Sequence, residues 1–266
     1  MELGVVIILL IFGVIFGIIS SIAGIGGGVL YMSLMILLFA IPIDEARDTS
    51  TFTIVLFSGA AFISYYRQGK VDLKLSLIFA GLALLGSITA TIFFILFPID
   101  NYVLKIIIAS VVLASGLNMI RKVLIGYNLD KNNDGVPDIE FSFINHDYKS
   151  KLTKGIPLFF LAGFIAYLSG IGGGMVFVPI LSILFCIPIH YTTAMSVSMI
   201  FFIGLYNAGA RMVIGEIHYL IGILIGIGAI TGSLLGARIS SKIPKNYLQF
   251  GVAAVLIILA IRMYFV

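Results

Sequence analysis

Charged residues are scarce in this chain. They make up 11% of its 266 residues, hydrophobic residues make up 61%, and the mean hydropathy is +1.18. A soluble domain carries about a quarter charged residues, so this composition cannot cover a water-facing surface. The net charge of +4 is attributed to Lys and Arg in membrane-flanking loops rather than to a nucleic-acid patch. The sequence therefore predicts a protein of the cell membrane whose surroundings are the lipid bilayer, with no nucleic-acid partner.

Several kinds of chemical site are also missing. Cys186 is the only cysteine, so neither an intrachain disulfide nor a thiolate metal cluster can form. Residues Val29-Leu30 and Met175-Val176 follow the glycine strings where a Walker loop needs a lysine and a hydroxyl residue, which excludes that nucleotide site. The three histidines lie in predicted loops or helix ends, and no acid is expected deep in an apolar run. An enzyme is therefore not expected, and neither is a cofactor.

Two very long uncharged runs are present instead. The first lies between Glu2 and Asp44, and the second between Lys154 and Arg211 if His190 is neutral. A helix needs about 20 apolar residues to cross the bilayer, so each run holds more than one crossing or a broken one. Its length and lack of a basic start argue against a cleavable signal peptide at the first run. The other apolar runs are Phe52–Tyr66, Leu75–Phe97, Ile106–Ile120, Tyr219–Ala237 and Leu248–Ile261. We expect an all-α, multi-pass membrane helix bundle.

An internal repeat organises the chain. Gly24-Ile25-Gly26-Gly27-Gly28 recurs as Gly170-Ile171-Gly172-Gly173-Gly174, at an offset of 146 residues. The same offset relates Ile41-Pro42-Ile43 to Ile187-Pro188-Ile189, Ser50 to Ser196, Gly69 to Gly215, Gly86-Ser87 to Gly232-Ser233 and Pro98 to Pro244. These matches predict two homologous transmembrane repeats, residues 1–120 and 154–266, with a polar loop at 121–153 between them.

The relative orientation of the repeats depends on the segment 3–43. It is too long for one straight crossing and should break at the glycine string, as a broken helix or a hairpin. Two crossings or a hairpin there give each repeat an odd number of crossings and invert the second repeat, whereas one kinked crossing gives a parallel repeat. Inversion places 12 of the 16 Lys and Arg residues on the cytoplasmic side, against 11 for the parallel arrangement. We favour inverted repeats with both termini outside.

The repeated glycine strings are candidate substrate sites. Consecutive glycines free backbone amides, and a helix that restarts after them directs its positive end at the break. Two such breaks facing each other would form a pocket suited to an oxyanion. The alternative is that the glycines allow close helix packing. The candidate residues are Gly24, Gly26, Gly27, Gly28, Gly170, Gly172, Gly173 and Gly174.

Few polar side chains accompany the breaks. Ser20, Ser21 and Ser169 flank them, and Thr49, Ser50 and Ser196 are expected to open the following helices. These hydroxyls are either ligands or simply bonded to their own backbone. Arg211, one turn after Asn207, is the best cationic candidate for an anion, and the alternative is an arginine that snorkels to the interface.

These motifs carry a family resemblance. The Gly-Ile-Gly-Gly-Gly string, the Ile-Pro-Ile end of the following helix, Thr49-Ser50 and the loop Tyr65–Asp72 resemble the TauE/SafE family of membrane permeases. The resemblance covers the chain except 121–154, and it implies an anion, preferably sulfite, thiosulfate or an organosulfonate. The second repeat departs from the pattern, because Met195 replaces Thr49 and His218 replaces Asp72 at the offset positions.

A secondary transporter or facilitator of a small anion is thus the expected function. An anion channel, or a permease for an unrelated small solute, is the alternative. A homodimer is a further expectation. The loop between the repeats offers Asp130, Asn132, Asp134, Val136 and Asp138 in the spacing of a Ca²⁺ loop, but Phe141 stands where the final acid belongs, so a solvated linker is the other interpretation.

Overall fold

The structure is a computed structural model that describes residues 3–97 and 148–240, with scattered positions in 100–121 and 253–261. The elements of these two long stretches are all helical, as predicted. They are α1 Leu3–Ala23, α2 Gly28–Phe39, α3 Ile43–Arg67, α4 Leu73–Leu96, α5 Lys149–Ser169, α6 Gly174–Pro179, α7 Ile189–Ile214 and α8 Tyr219–Ile239, and α6 continues as a π-helical segment Ile180–Leu184.

Five of these helices are long and apolar enough to cross a membrane: α1, α4, α5, α7 and α8. The long runs break at the glycine strings, since α1 and α5 end directly before them and α2 and α6 begin at Gly28 and Gly174. The predicted starts of the next helices were wrong. Helices α3 and α7 begin six residues earlier than expected, after Pro42 and Pro188, so Thr49 and Ser196 lie inside helices rather than at their ends.

Helix α1 packs closely along α8, and the two run in the same direction. A Cβ at Gly13 would lie 2.5 Å from the carbonyl oxygen of Ile225, and one at Gly236 would lie 2.7 Å from that of Ile18. Small residues thus allow the backbones to touch, as is common between membrane helices. Helix α5 packs along α4 with the same direction, from Phe79 beside Phe159 to Ala90 beside Tyr167.

Helix α3 lies between α8 and α7. It runs with α8, because Thr53 donates to the Gly222 carbonyl and Gln68 to that of Ala237. It runs against α7, because its early residue Asp48 meets the late residue Arg211, while Gly59 meets Phe201. Helices α3 and α7 occupy the same place in the two repeats, and within the described residues they point in opposite directions.

Candidate functional site

The two glycine breaks lie against each other in the middle of the bundle. Ser50 Oγ donates to the Gly170 carbonyl at 3.1 Å, and Ser196 Oγ donates to the Gly24 carbonyl at 2.8 Å. A Cβ at Gly28 would lie 2.6 Å from the Gly170 oxygen, and one at Gly174 would lie 2.5 Å from the Gly24 oxygen. Each contact has its counterpart 146 residues away.

Glycine is required in the breaks for two reasons. Gly26 and Gly172 have φ values of +87° and +86°, a conformation that side chains disfavour. The other positive-φ glycines of the predicted set are Gly24, Gly27, Gly170 and Gly173. Gly28 and Gly174 are helical, and they are needed because the opposite break is so close. Close packing, the alternative interpretation, therefore accounts for these last two positions.

The predicted hydroxyl residues divide into two groups. Ser50 and Ser196 join the breaks, as described above. Thr49 lies elsewhere, because its hydroxyl accepts a hydrogen bond from the His218 amide at 2.9 Å, and beside it the His218 ring contacts Glu45. Thr49 thus joins the start of α3 to the loop before α8.

A cluster of buried charges adjoins the second break. Arg47, Asp48 and Arg211 have side chains exposed by only 1–3%. Arg47 Nε donates to Asp48 Oδ1 at 2.8 Å, and Arg211 Nη1 lies 3.3 Å from the same oxygen. The backbone carbonyl of Arg47 accepts from Ser50 at 2.8 Å, which connects the cluster to the break.

Aromatic rings cover the two guanidinium groups. Phe94 of α4 has Arg47 Cζ and Arg211 Cζ each 4.9 Å from its ring centroid, and Arg211 Cζ is 4.2 Å from the Tyr167 ring. Arg211 Nη2 also donates to the Tyr167 carbonyl at 3.0 Å, near the C-terminal end of α5. Cation–π contacts and this carbonyl replace part of the lost hydration of the arginines.

The cluster nevertheless has unmet bonding capacity and excess positive charge. Two arginines share one carboxylate. Arg47 Nη1, Arg211 Nε and Arg211 Nη1 have no hydrogen-bond partner among the described residues, and neither does Oδ1 of the adjacent Asn207. Buried polar groups are nearly always bonded, so the three guanidinium donors define a place where an anion would be stabilised, whereas Asn207 Oδ1 is an acceptor.

Arg47 and Asp48 were missed in the sequence analysis, which expected no acid deep in a run. Both side chains are nevertheless buried, although they lie between the apolar runs and not within one. Their charge made residues 44–48 look like a loop. The signal that could have found Arg47 is a buried stripe at helical spacing through α3, namely Arg47, Thr51, Ile54, Ser58, Ala61 and Tyr65.

Comparison with known proteins identifies the family. The model of the family described as "Sulfite exporter TauE/SafE" matches residues 9–263. The chain belongs to this family. Its TauE/SafE relatives include "Probable membrane transporter protein YunE" of Bacillus subtilis (strain 168), 26% identical over 97% of both chains. "Probable membrane transporter protein MJ0441" of Methanocaldococcus jannaschii is 27% identical over 96% of this chain and 94% of its own. No solved structure matches the chain.

The protein is accordingly a multi-pass membrane transporter rather than an enzyme, as predicted. The predicted Ca²⁺ loop, Asp130 to Asp138, lies outside the described residues. Within the described part of the chain, no group of three or more His, Cys, Asp or Glu residues could hold a metal ion. A surface cleft of about 420 Å³ lies at the other end of α3, with Arg67 and Arg238 in its lining.

Proposed function

We propose that this TauE/SafE protein carries a small anion, and that Arg47 and Arg211 are the residues that bind it. The observation that supports this proposal is the pair of buried guanidinium groups, which among the described residues share a single carboxylate and keep N–H donors without a hydrogen bond. A buried net positive charge is costly in a membrane protein unless a counter-ion compensates it. A transported anion supplies that compensation, and the positive charge of the two arginines selects an anion over a neutral or cationic solute.

The chemistry of the pair suits an oxyanion. A guanidinium group presents planar, parallel N–H donors that match two oxygens of a sulfonate, sulfite or carboxylate. In the structure Asp48 Oδ1 occupies the position between the two groups. We infer that Asp48 stands in for the substrate when the site is empty and that an arriving anion competes with it.

The glycine breaks are proposed to form the barrier rather than the anion site itself. Their reciprocal contacts, through Ser50 and Ser196, close the centre of the bundle beside the arginine pair. The opposite directions of α3 and α7 support two inverted units across the membrane. Transporters with inverted repeats expose a central site alternately by rocking one unit against the other. Separation of the two breaks would then open the path.

A sulfur oxyanion is the proposed substrate class. The support is the description of the family, together with the fit between guanidinium groups and sulfonate oxygens. An anion channel is the alternative. Saturable flux that accelerates in exchange mode favours a carrier, whereas conductance that increases in proportion to voltage favours a channel.

Uptake into proteoliposomes tests the proposal. The wild-type protein is expected to show saturable flux of labelled sulfite, thiosulfate or a sulfonate, with carboxylates as competitors. Hydrogen bonds to charged groups contribute about 1.5–3 kcal/mol each, so Arg211→Gln and Arg47→Gln should lower kcat/KM by about ten- to a hundredfold. Arg67→Gln removes an exposed arginine from the same helix and is the matched control. Wild-type flux in Arg47→Gln and Arg211→Gln, as in the Arg67→Gln control, would show that the pair does not bind substrate.

A further inference from the structure

A second group of buried polar side chains surrounds the first glycine break. Ser20 and Ser21 lie in the last turn of α1, Tyr31 lies in the first turn of α2, and Ser240 directly follows α8. Each is at most 1% exposed. The four hydroxyl groups have no hydrogen-bond partner within the described residues. Such a cluster of unbonded oxygens in the interior indicates a place for a bound species.

Two of these hydroxyl groups, those of Ser20 and Tyr31, border the break. A Cβ at Gly27 would lie 2.7 Å from Ser20 Oγ and 2.7 Å from the Tyr31 ring, so both side chains border the glycine directly. The Tyr31 hydroxyl lies beside that of Ser20, without hydrogen-bond geometry between them. Ser240 is close to the hydroxyl of Tyr65. Ser20 and Tyr31 thus meet at Gly27, whereas Ser21 faces Gly236 of α8 and lies with Ser240 beside the Tyr65 hydroxyl.

The two breaks differ in charge at equivalent positions. At the second break, Arg211 donates to the Tyr167 carbonyl. At the first break, the contact 146 residues earlier is that of Tyr65, whose hydroxyl donates to the Ser21 carbonyl at 2.9 Å. Arg47 likewise corresponds to Thr193. Where one break holds two fixed cations, the other has neutral oxygen groups.

The local backbone also favours a cation. The C-terminal end of a helix carries a partial negative charge of about half an elementary charge. The Ser20 and Ser21 carbonyls of α1 accept hydrogen bonds from the Gly24 amide and the Tyr65 hydroxyl, each at 2.9 Å, and each carbonyl oxygen has a second lone pair. In transporters with broken helices, such ends and unwound carbonyls coordinate Na⁺. Hydroxyl and carbonyl oxygens are the ligands that hard cations prefer.

We propose that the first glycine break binds a sodium ion through the hydroxyl oxygens of Ser20 and Tyr31 and neighbouring carbonyls. A bound sodium ion would thus supply at the first break the positive charge that the guanidinium groups supply at the second. Its occupancy does not depend on the anion site, although its use as a coupling ion rests on the proposed function. In that case sodium binds at the first break and the anion binds beside the second. The two breaks separate and close again as the central site opens alternately to each side of the membrane.

The chain itself suggests mild variants. Ser20 and Tyr31 correspond to Ala166 and Phe177 in the second repeat, so Ser20→Ala and Tyr31→Phe introduce residue types that the fold accepts at equivalent positions. Ser58→Ala is the control, because the Ser58 hydroxyl is buried and donates to the Ile54 carbonyl of its own helix at 2.6 Å.

Thermal unfolding in NaCl, KCl and choline chloride at equal ionic strength tests the site. The wild-type protein should gain a saturable increase in Tm of about 2–4 °C in sodium alone. Ser20→Ala with Tyr31→Phe should need at least about tenfold more sodium for the same shift. Ser58→Ala should respond like the wild type. The absence of a sodium-specific shift in the wild type, or an unchanged sodium response in the double variant, would overturn the proposal.

The same experiment separates the two proposals. Addition of sulfite tests the arginine pair independently of sodium. A sulfite shift that survives in the Ser20/Tyr31 double variant, with the sodium shift lost, supports two distinct sites. A sodium shift without any effect of sulfite, thiosulfate or sulfonates in the wild type would refute the anion proposal and leave the sodium site standing.

Discussion

Asp48 lies between two arginines in the interior of the protein, with only 2% of its surface exposed. The position of its side chain is fixed from both sides, by Arg47 at 2.8 Å and Arg211 at 3.3 Å, and its second oxygen accepts from the Glu216 amide at 3.3 Å. A carboxylate in such surroundings neutralises charge that would otherwise be buried alone. On the proposed function, Asp48 stabilises the protein without substrate and competes with substrate when it is present.

The variant Asp48→Asn should separate these two effects. Loss of the carboxylate leaves two buried cations uncompensated, which in other proteins costs about 3–5 kcal/mol. We expect a lower Tm without anion and a larger Tm increase at a given sulfite concentration than in the wild type. Thermal unfolding across a sulfite titration measures both. Glu216→Gln removes an exposed charge nearby and should change neither value. A smaller sulfite shift in Asp48→Asn would show that Asp48 assists binding rather than competing.

Part of the charge cluster is predictable from the sequence, and the rest is not, for a physical reason. Arg211 and Asn207 were found because they end a long uncharged stretch. Arg47 and Asp48 were not, because burial of a charge depends on partners that come from other helices. Phe94 of α4 and Tyr167 of α5 cover the guanidinium groups. The sequence around residue 47 does not predict contacts with these two rings.

At the scale of helices, glycine determines which elements can touch. Gly86 of α4 faces the Phe160 backbone of α5, and Gly232 of α8 faces that of Val14 in α1, at the same offset of 146 residues. In both places a Cβ would collide with a carbonyl oxygen. The first helix of each repeat thus packs against the last described helix of the other.

Gly86→Ala should destabilise the protein although alanine is the better helix former. Overpacking costs typically about 1–3 kcal/mol, and here the obstacle is backbone, which cannot move aside as a side chain does. Gly81→Ala in the same helix is the control, since nothing lies within 4 Å of its Cβ, and helix propensity predicts a gain of up to about 1 kcal/mol. Tm values of the two variants should move in opposite directions from the wild type. Equal Tm values would mean that α4 and α5 can separate freely.

The helix breaks were predictable, and the helix partners were not. A run of 41 residues exceeds the bilayer thickness, and five residues with three consecutive glycines locate the break. The start of α3 was misplaced because Asp44, Glu45 and Arg47 resemble a loop, although Pro42 directly precedes the helix and acids suit its first turn. The start of α7 was placed at the position 146 residues later and was misplaced with it. The packing partner of each helix depends on contacts between the two repeats. The hydrophobic pattern within one repeat does not predict these contacts.

For the whole molecule, the directions of the described helices imply a topology. Helices α1, α3 and α8 run one way, whereas α7 runs the other way, and α3 and α7 are equivalents in the two repeats. If the repeats are inverted, the loop after α3 and the loop after α7 lie on opposite faces of the membrane. Lys70 and Glu216 occupy equivalent places in these loops, 146 residues apart.

Labelling from one side of the membrane tests the inversion directly. Lys70→Cys and Glu216→Cys are made separately in a Cys186→Ser background, so that each variant carries one thiol. With a membrane-impermeant maleimide applied to intact cells, we expect Glu216→Cys to react and Lys70→Cys to react only after permeabilisation, because the basic residues near the loop after α3 favour the cytoplasmic side. A reversed pattern would keep the inversion and change only the orientation. Reaction of both thiols from the same face would mean parallel repeats, and the two glycine breaks could then no longer be halves of one barrier related by a pseudo-two-fold axis in the membrane plane.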